Sequence, residues 1–250
     1  MRQHLRWWKR RRFVFMPNHD EIYEQEAQKY HQLISTQQDL HTYIDAIRAY
    51  EGLDIVDIGA GTGRLTTVLA PKAGSIIALD ASASMLAVTA DRLRQAGLAN
   101  WQTAVADHRK LPLADGSADL IVAGWSICYL GSTNVPDWQT NIRTVMRELT
   151  RILRPGGTII IIETLGTGTA TPSPPDFLQS YYTALEQEYG FSRQVIRTDL
   201  VFDSIEEAER LTRFFFGDGI ADQVVENNWI TVPECAGIWW RHADSHMMHK

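Results

Sequence analysis

The 250-residue sequence is 44% hydrophobic and 22% charged, and no apolar run approaches the ~20 residues of a membrane span. That composition suits a globule with a sizeable buried core; two cysteines exclude a disulfide framework, no metal-ligand spacing occurs, and a reducing, cytoplasmic setting is expected. The net charge of −6 is uneven: six of the 24 basic residues precede the first acid, Asp20, and the other 18 face 30 acids, an acidic body that argues against a nucleic-acid partner.

Residues 1–15 read as a basic tail outside the fold, disordered or an extension ahead of a start at Met16. With Trp7 and Trp8 it is the one segment suited to touch nucleic acid or an anionic membrane surface, and it lacks the apolar core of a signal peptide. From 16 to 50 a helical cover is expected, because Ile22, Leu33, Leu40, Ile44 and Ile47 are spaced for one or two amphipathic segments between Asn18 and Tyr50. The pattern then alternates. Strands are expected at Asp54–Ile58, Ser75–Leu79, Trp101–Ala106, Ala118–Gly124 and Thr158–Ile162, and helices at Thr62–Ala70, Ser82–Ala96 and Trp138–Leu153. Ser82 is a candidate N-cap. Short buried strands between helices imply right-handed βαβ units and a parallel sheet.

Pro155 stops a helix, and Gly156-Gly157 supplies the turn into the most apolar strand, Ile159 to Ile162. Gly166–Pro175 is a loop, and a helix runs from Pro174 to about Tyr189. Two more strands, Val195–Phe202 and Pro233–Trp240, flank helices at Ser204–Phe216 and Gly219–Asn228. The expected organisation is one domain over 16–250, with the cover to 50, a ligand-binding core over 51–165, and C-terminal strands and substrate-side helices over 166–250.

The stretch Val56-Asp57-Ile58-Gly59-Ala60-Gly61-Thr62-Gly63 is a strand running into a tight turn with glycine at every second position. Such a turn lets a ligand lie against bare backbone. Asp80 closes the second strand and Asp107 the third. Singly, the glycines could serve helix–strand packing, and the acids could be caps or solvated loop ends. A nicotinamide-dinucleotide fingerprint wants a third glycine where Arg64 stands, and Gly-x-Gly-x-Gly suits a cofactor without a pyrophosphate. Asp80 alone fits the ribose diol of either cofactor.

Taken in order, these features resemble the class I S-adenosylmethionine-dependent methyltransferases. Val56–Gly63 resembles the family's first motif, and Ala78-Leu79-Asp80 and Ala106-Asp107 its acids at the ends of the second and third strands. Leu153-Arg154-Pro155-Gly156-Gly157 resembles its turn into the fifth strand. The resemblance covers roughly Asp54 to Glu163. It implies an α/β fold: a doubly wound, mainly parallel seven-stranded Rossmann-like sheet with an N-terminal helical cover and a C-terminal helical insertion. It implies an enzyme that uses S-adenosyl-L-methionine and releases S-adenosyl-L-homocysteine. The cofactor contacts it implies are Asp57, Gly59, Ala60, Gly61, Thr62, Gly63, Asp80, Ala81, Met85, Asp107, His108 and Trp125. Asp80 would accept both ribose hydroxyls, Asp107 the exocyclic amine of adenine, and Met85 would pack on the adenine face.

The fourth strand ends in Ala123-Gly124-Trp125-Ser126-Ile127-Cys128-Tyr129, which in the family faces the methyl group. It lacks the Asn/Asp-Pro-Pro-aromatic tetrad of amino methyltransferases acting on DNA bases or protein glutamine. It also lacks the Pro-Cys of the cytosine-C5 enzymes, and two cysteines are too few for arsenic methylation. A small-molecule acceptor remains. The substrate candidates are Tyr23, Tyr30, Tyr129 and Glu163, with His31, Tyr181, Tyr182, Phe214 and Phe215 behind them, since aromatics on helices serve cores first. Tyr129 and His108 are the catalytic candidates where an acceptor must lose a proton. Two other functions would carry the same motifs: a non-catalytic cofactor-binding module, and an RNA methyltransferase tethered by the basic arm.

Overall fold

The computed structural model describes residues 17–244. The basic tail and the question of a start at Met16 lie outside the described residues. The N-terminal cover is three short helices, α1 (His19–Gln25), α2 (Ala27–Ile34) and α3 (His41–Ile47). Each buries little: Ile22 on α1, Ala27, Leu33 and Ile34 on α2, and Ile44 on α3.

An alternating core follows: β1 (Asp54–Ile58), α4 (Thr66–Leu69), β2 (Ser75–Asp80), α5 (Ala83–Gln95), β3 (Trp101–Val105), β4 (Ala118–Gly124), α6 (Cys128–Gly131), α7 (Trp138–Ile152) and β5 (Leu153–Thr167). The C-terminal part adds α8 (Asp176–Gln187), β6 (Ser192–Arg197), β7 (Leu200–Val201), α9 (Ile205–Phe216), α10 (Asp218–Asn227), β8 (Thr231–Val232) and β9 (Glu234–His242). Seven strands form one sheet in the order β3-β2-β1-β4-β5-β9-β6. The strands from β3 across to β5 pair in parallel, and β9 is antiparallel to both β5 and β6. The order reverses between β1 and β4, which opens a crevice at their carboxyl ends.

The run Ile159–Ile162 shows why the sheet is covered on both faces. Ile159 and Ile161 join the core cluster that holds Ile142, Val145 and Leu149 of α7, while Ile160 and Ile162 join the one that holds Ile44, Leu69 and Leu93. All four are fully buried, each contributing about 1.5–3 kcal/mol over an exposed position. A third, smaller cluster, with Leu33, Leu200, Phe202, Leu211 and Val224, ties α2 to α9 and α10. It holds the cover over the crevice.

Two local expectations are corrected. The helix foreseen at Thr62–Ala70 shrinks to Thr66–Leu69, because Gly61 (φ +56°) and Gly63 (φ +85°) hold left-handed backbone that no α-helix contains. The turn at Pro155 is present, with Gly156 at φ +75°, and lies within an irregular start of β5 whose register against β4 shifts between Ala118 and Leu120. The strand foreseen at Val195–Phe202 is split: Asp199 turns its carboxylate back to accept from Glu234 N–H and the Arg197 side chain, and β7 leaves to pair with β8 in a separate two-stranded sheet. The short helix α6 was not anticipated.

Candidate active site

The glycine loop is drawn tightly onto its neighbours. Ala60 N–H donates to the Leu79 carbonyl at 2.9 Å, and Gly63 N–H to Ala60 at 2.9 Å. A Cβ on Gly59 (φ +68°) would stand 2.2 Å from Ser126 Cβ, so the loop needs glycine where the segment after β4 crosses it. Ser126 in turn donates to the Ile58 carbonyl at 2.9 Å. At Gly61 the space is open, with Met85 Cε the nearest atom at 3.4 Å from a built Cβ. Asp80, at the end of β2, accepts from Gly61 N–H at 2.9 Å on one oxygen and from Ser82 N–H at 2.8 Å on the other. Ser82 caps α5 through Met85 N–H and donates to the Tyr23 carbonyl, linking the strand end to the cover.

These elements enclose a cavity of about 250 Å³. Gly59, Ala60, Gly61, Thr62, Asp80, Ala81, Met85, Asp107, His108 and Trp125 line it, beneath Tyr23, Tyr30 and Ile34 of the cover. Two expected contacts stand behind this wall. Asp57 is buried, accepts from Thr66 Oγ1 on one oxygen and leaves the other without a partner; burial pushes its carboxyl up to about 7. Gly63 packs between Thr67 and Thr89, each 3.1 Å from a built Cβ. Asp107 is gripped by Arg109, whose Nε and Nη2 donate at 2.9 and 2.6 Å, and this holds its carboxyl down at about 2. Burial lowers the His108 pKa, so the imidazole is neutral, and its Nε2 has no protein partner.

A second cavity, about 470 Å³, shares Tyr23, Tyr30, Ile34, Arg64, Trp125 and Tyr129 with the first. Its other walls are mainly apolar: Leu33, Val135, Phe177, Leu178, Leu200, Phe215 and Phe216. Trp125 holds φ +51°, unusual for a residue with a side chain, and Arg64 stacks on its indole with Cζ 4.1 Å from the ring centroid. Among the described residues, Arg64 is the one arginine or lysine lining either cavity. Glu234 lies in the same wall, hydrogen-bonded by Gln37 at 2.7 Å; burial pushes its carboxyl up to about 7 against the pull of Arg64.

Where the cavities meet, the Tyr23 and Tyr129 hydroxyls are 2.6 Å apart, and Tyr129 Oη lies 3.2 Å from His19 Nδ1. Tyr129 is 44% accessible because its ring faces the open cavity, yet the crowding around both phenols raises their pKa values, chiefly through desolvation.

Several sequence candidates sit elsewhere. Glu163 is fully buried behind the wall and does not reach the cavity: its Oε1 accepts from Cys128 N–H at 2.9 Å and faces Tyr181 Oη at 3.4 Å, which anchors α6 to β5. Tyr181 and Tyr182 are core residues. His31 lines a separate small cavity with Arg92, and burial lowers its pKa to about 4. Phe214 lies under Lys29, whereas Phe215 enters the second cavity. Arg64, His19, Gln37, Ser126 and Glu234 were missed. Arg64 was visible in the glycine motif but weighed only as an absent glycine; the others carry no spacing signal.

Residues 56–161 match a family model described as a methyltransferase domain. Over this core the chain carries a methyltransferase domain. The methyltransferase core is 31% identical over 135 residues to the demethylmenaquinone methyltransferase of Bacillus velezensis, spanning 53% of this chain and 52% of that protein. It is 31% identical over 159 residues to the malonyl-[acyl-carrier protein] O-methyltransferase of a Marinomonas species, spanning 62% of this chain and 52% of that one. The alignments thus span about half the length of these relatives. Two solved structures share the fold: a SAM-dependent methyltransferase from Aquifex aeolicus (TM-score 0.57, 16% identity, 86% of this chain and 97% of that one) and the [4+2]-cyclase SpnF (TM-score 0.53, 19% identity, 82% and 80%).

The residues present fit the family's cofactor. Gly61 leaves bare backbone over an open cavity, and Asp80, which lines it, accepts one hydrogen bond on each carboxylate oxygen and so keeps lone pairs to spare. Among the described residues, no cluster of His, Cys, Asp or Glu has the make-up of a metal site, and no helix is long and apolar enough to cross a membrane.

Proposed function

We propose that this chain transfers the methyl group of S-adenosylmethionine to a small organic acceptor in the second cavity. The observation that carries this reading is the shared wall. A cavity floored by glycines and a strand-end carboxylate meets a larger and more apolar cavity at Tyr23, Arg64, Trp125 and Tyr129. A donor and an acceptor need such a meeting point. When bound, the cofactor supplies an electrophilic methyl on a sulfonium, open to in-line displacement.

The chain's own residues bind, orient and exclude water. Asp80 would accept both ribose hydroxyls in charge-assisted bonds. Asp107, although held by Arg109, keeps lone pairs for an exocyclic amine, and Met85 and Ala81 offer apolar surface to the ring. Arg64 is the natural partner of the cofactor carboxylate, being the only guanidinium in either wall among the described residues. Asp57 acts from behind, fixing the loop through Thr66. On the other side Phe177, Leu178, Phe215 and Phe216 strip water from the acceptor, and positioning supplies much of the rate. The relatives' names, demethylmenaquinone and a malonyl group carried on an acyl-carrier protein, agree with a small organic group as the site of methylation.

The test is calorimetry with S-adenosylhomocysteine, followed by a screen of small aromatic and acyl acceptors for its production from S-adenosylmethionine. Micromolar binding together with turnover on one of them is the expected result. No binding would overturn the reading, and binding without turnover on any acceptor would favour a non-catalytic module.

A further inference from the structure

We propose that Tyr23, Tyr129 and His19 form a directed proton relay serving an acceptor hydroxyl of phenolic or enolic type on an apolar, ring-bearing molecule. This rests on the methyltransferase reading of the same site and names the substrate class.

The direction follows from hydrogen-bond bookkeeping. His19 Nε2 lies 3.0 Å from the Phe215 carbonyl, which only accepts, so Nε2 carries the hydrogen. In that tautomer Nδ1 offers a lone pair, and Tyr129, 3.2 Å away, donates to it. Tyr129 has one hydrogen, already committed, so in the 2.6 Å contact Tyr23 is the donor and Tyr129 the acceptor. Tyr23 is left with free lone pairs, in a residue that lines both cavities. His19 is held in this tautomer by stacking on Phe215, with ring centroids 4.4 Å apart and planes within 6°.

The step balances. As the acceptor oxygen bonds to the methyl carbon and the carbon–sulfur bond breaks, its proton passes to Tyr23 Oη. The Tyr23 proton passes to Tyr129, and the Tyr129 proton to His19 Nδ1. His19, only half-buried, then returns the proton to solvent. Burial disfavours an ionised form of either phenol, so the proton is handed on rather than held.

Such a relay matters only to an acceptor that must lose a proton in order to attack. A neutral amine attacks first and sheds its proton later; an isolated alcohol is too weak an acid for an imidazole terminus. A phenol or enol lies between. The ring-bearing character follows from the walls, where Trp125, Phe177, Phe215 and Phe216 surround a cavity of about 470 Å³.

The experiment uses the full chain, S-adenosylmethionine and 2-naphthol as the probe, with Tyr23→Phe, Tyr129→Phe and His19→Ala. Calorimetry with S-adenosylhomocysteine comes first; failure of the wild type to bind it would bring down the methyltransferase reading itself. With binding established, 2-methoxynaphthalene should form. Each variant should lose at least about 100-fold in kcat, with KM and cofactor affinity within about threefold, since general-base assistance is of that order. Added imidazole should restore His19→Ala and leave Tyr129→Phe slow, a split that a merely structural role would not produce. Because Tyr129→Phe deletes a single oxygen, it keeps the test valid if His19→Ala misfolds. Cofactor binding with no 2-naphthol methylation overturns the acceptor class, and methylation slowed less than about threefold by Tyr129→Phe overturns the relay.

Discussion

Asp80→Ala separates a cofactor-binding carboxylate from one that merely braces the loop. In the structure Asp80 accepts from Gly61 N–H at 2.9 Å and from Ser82 N–H at 2.8 Å, one bond to each oxygen. The lone pairs left over are those a ribose diol would use. A hydrogen bond to a charged group contributes about 1.5–3 kcal/mol, and two to one carboxylate are not additive, so about 3 kcal/mol is the expected loss in binding. That is roughly 150-fold in Kd for S-adenosylhomocysteine at about 1.4 kcal/mol per decade. Asp80→Asn keeps the shape and one acceptor but not the charge, and should lose about half of that, roughly tenfold. The ligand-free protein should change little in Tm, because Gly61 and Ser82 N–H can turn to water entering the cavity. Calorimetry on the two variants gives the answer. An alanine variant that binds within threefold of wild type would show that the carboxylate does not hold the ligand, and equal losses in both variants would point to loop collapse.

Three further outcomes follow from the same geometry. Gly61→Arg should abolish S-adenosylhomocysteine binding by placing a side chain on the open ledge, where only Met85 Cε stands near; measurable calorimetric heat would contradict this. Gly59→Ala should lower Tm, since its Cβ would lie 2.2 Å from Ser126 Cβ at φ +68°, and Ser126→Gly should recover part of the loss in the double variant; strict additivity would refute the clash. The Glu163 carboxyl stands at about 7 in the fold against an ordinary 4.5, so between those values the folded chain keeps a proton that the unfolded chain releases. Stability should therefore fall as pH rises from about 4.5 to 7, by about 3 kcal/mol for this group. Glu163→Gln should shrink the drop in denaturant stability between pH 5 and pH 8, leaving the share due to Asp57 and Glu234; an unchanged drop would refute the assignment.

The glycine-floored half of the candidate site was legible because its geometry is written in the backbone. A strand that ends under a ligand needs residues without side chains, and Gly59 and Gly61 sit one residue apart after an apolar run. The next two strands end in carboxylates, at Asp80 and Asp107. Each of those positions follows from its own strand, so the sequence carries it locally. Asp57 and Gly63 obeyed the motif but face inward, a distinction that depends on Thr66, Thr67 and Thr89 packing behind the loop. Glu163 shows the converse. A carboxylate at a strand end looks like a pocket residue, yet here α6 closes over it and uses its oxygen to hold Cys128 N–H.

The acceptor half was not legible, because no local rule places it. His19 meets the Phe215 carbonyl across 196 positions of sequence, and Gln37 meets Glu234 across 197. Such contacts exist only because the small cluster of Leu33, Leu200, Leu211 and Val224 docks the cover onto the C-terminal helices. The glycine loop and Asp80 hang from the central sheet, with its fully buried isoleucines. Of the second cavity's walls, Leu33, Leu200, Phe215 and Phe216 belong to a satellite cluster, Leu178 belongs to the sheet's own core, and Tyr23 and Tyr30 pack with Ala27, Met85 and Val88. A fold built this way can vary the satellite wall of the second cavity by repacking that cluster without touching the glycine loop, and Tyr23, Tyr30, Ile34, Arg64, Trp125 and Tyr129, the residues common to both cavities, couple the two.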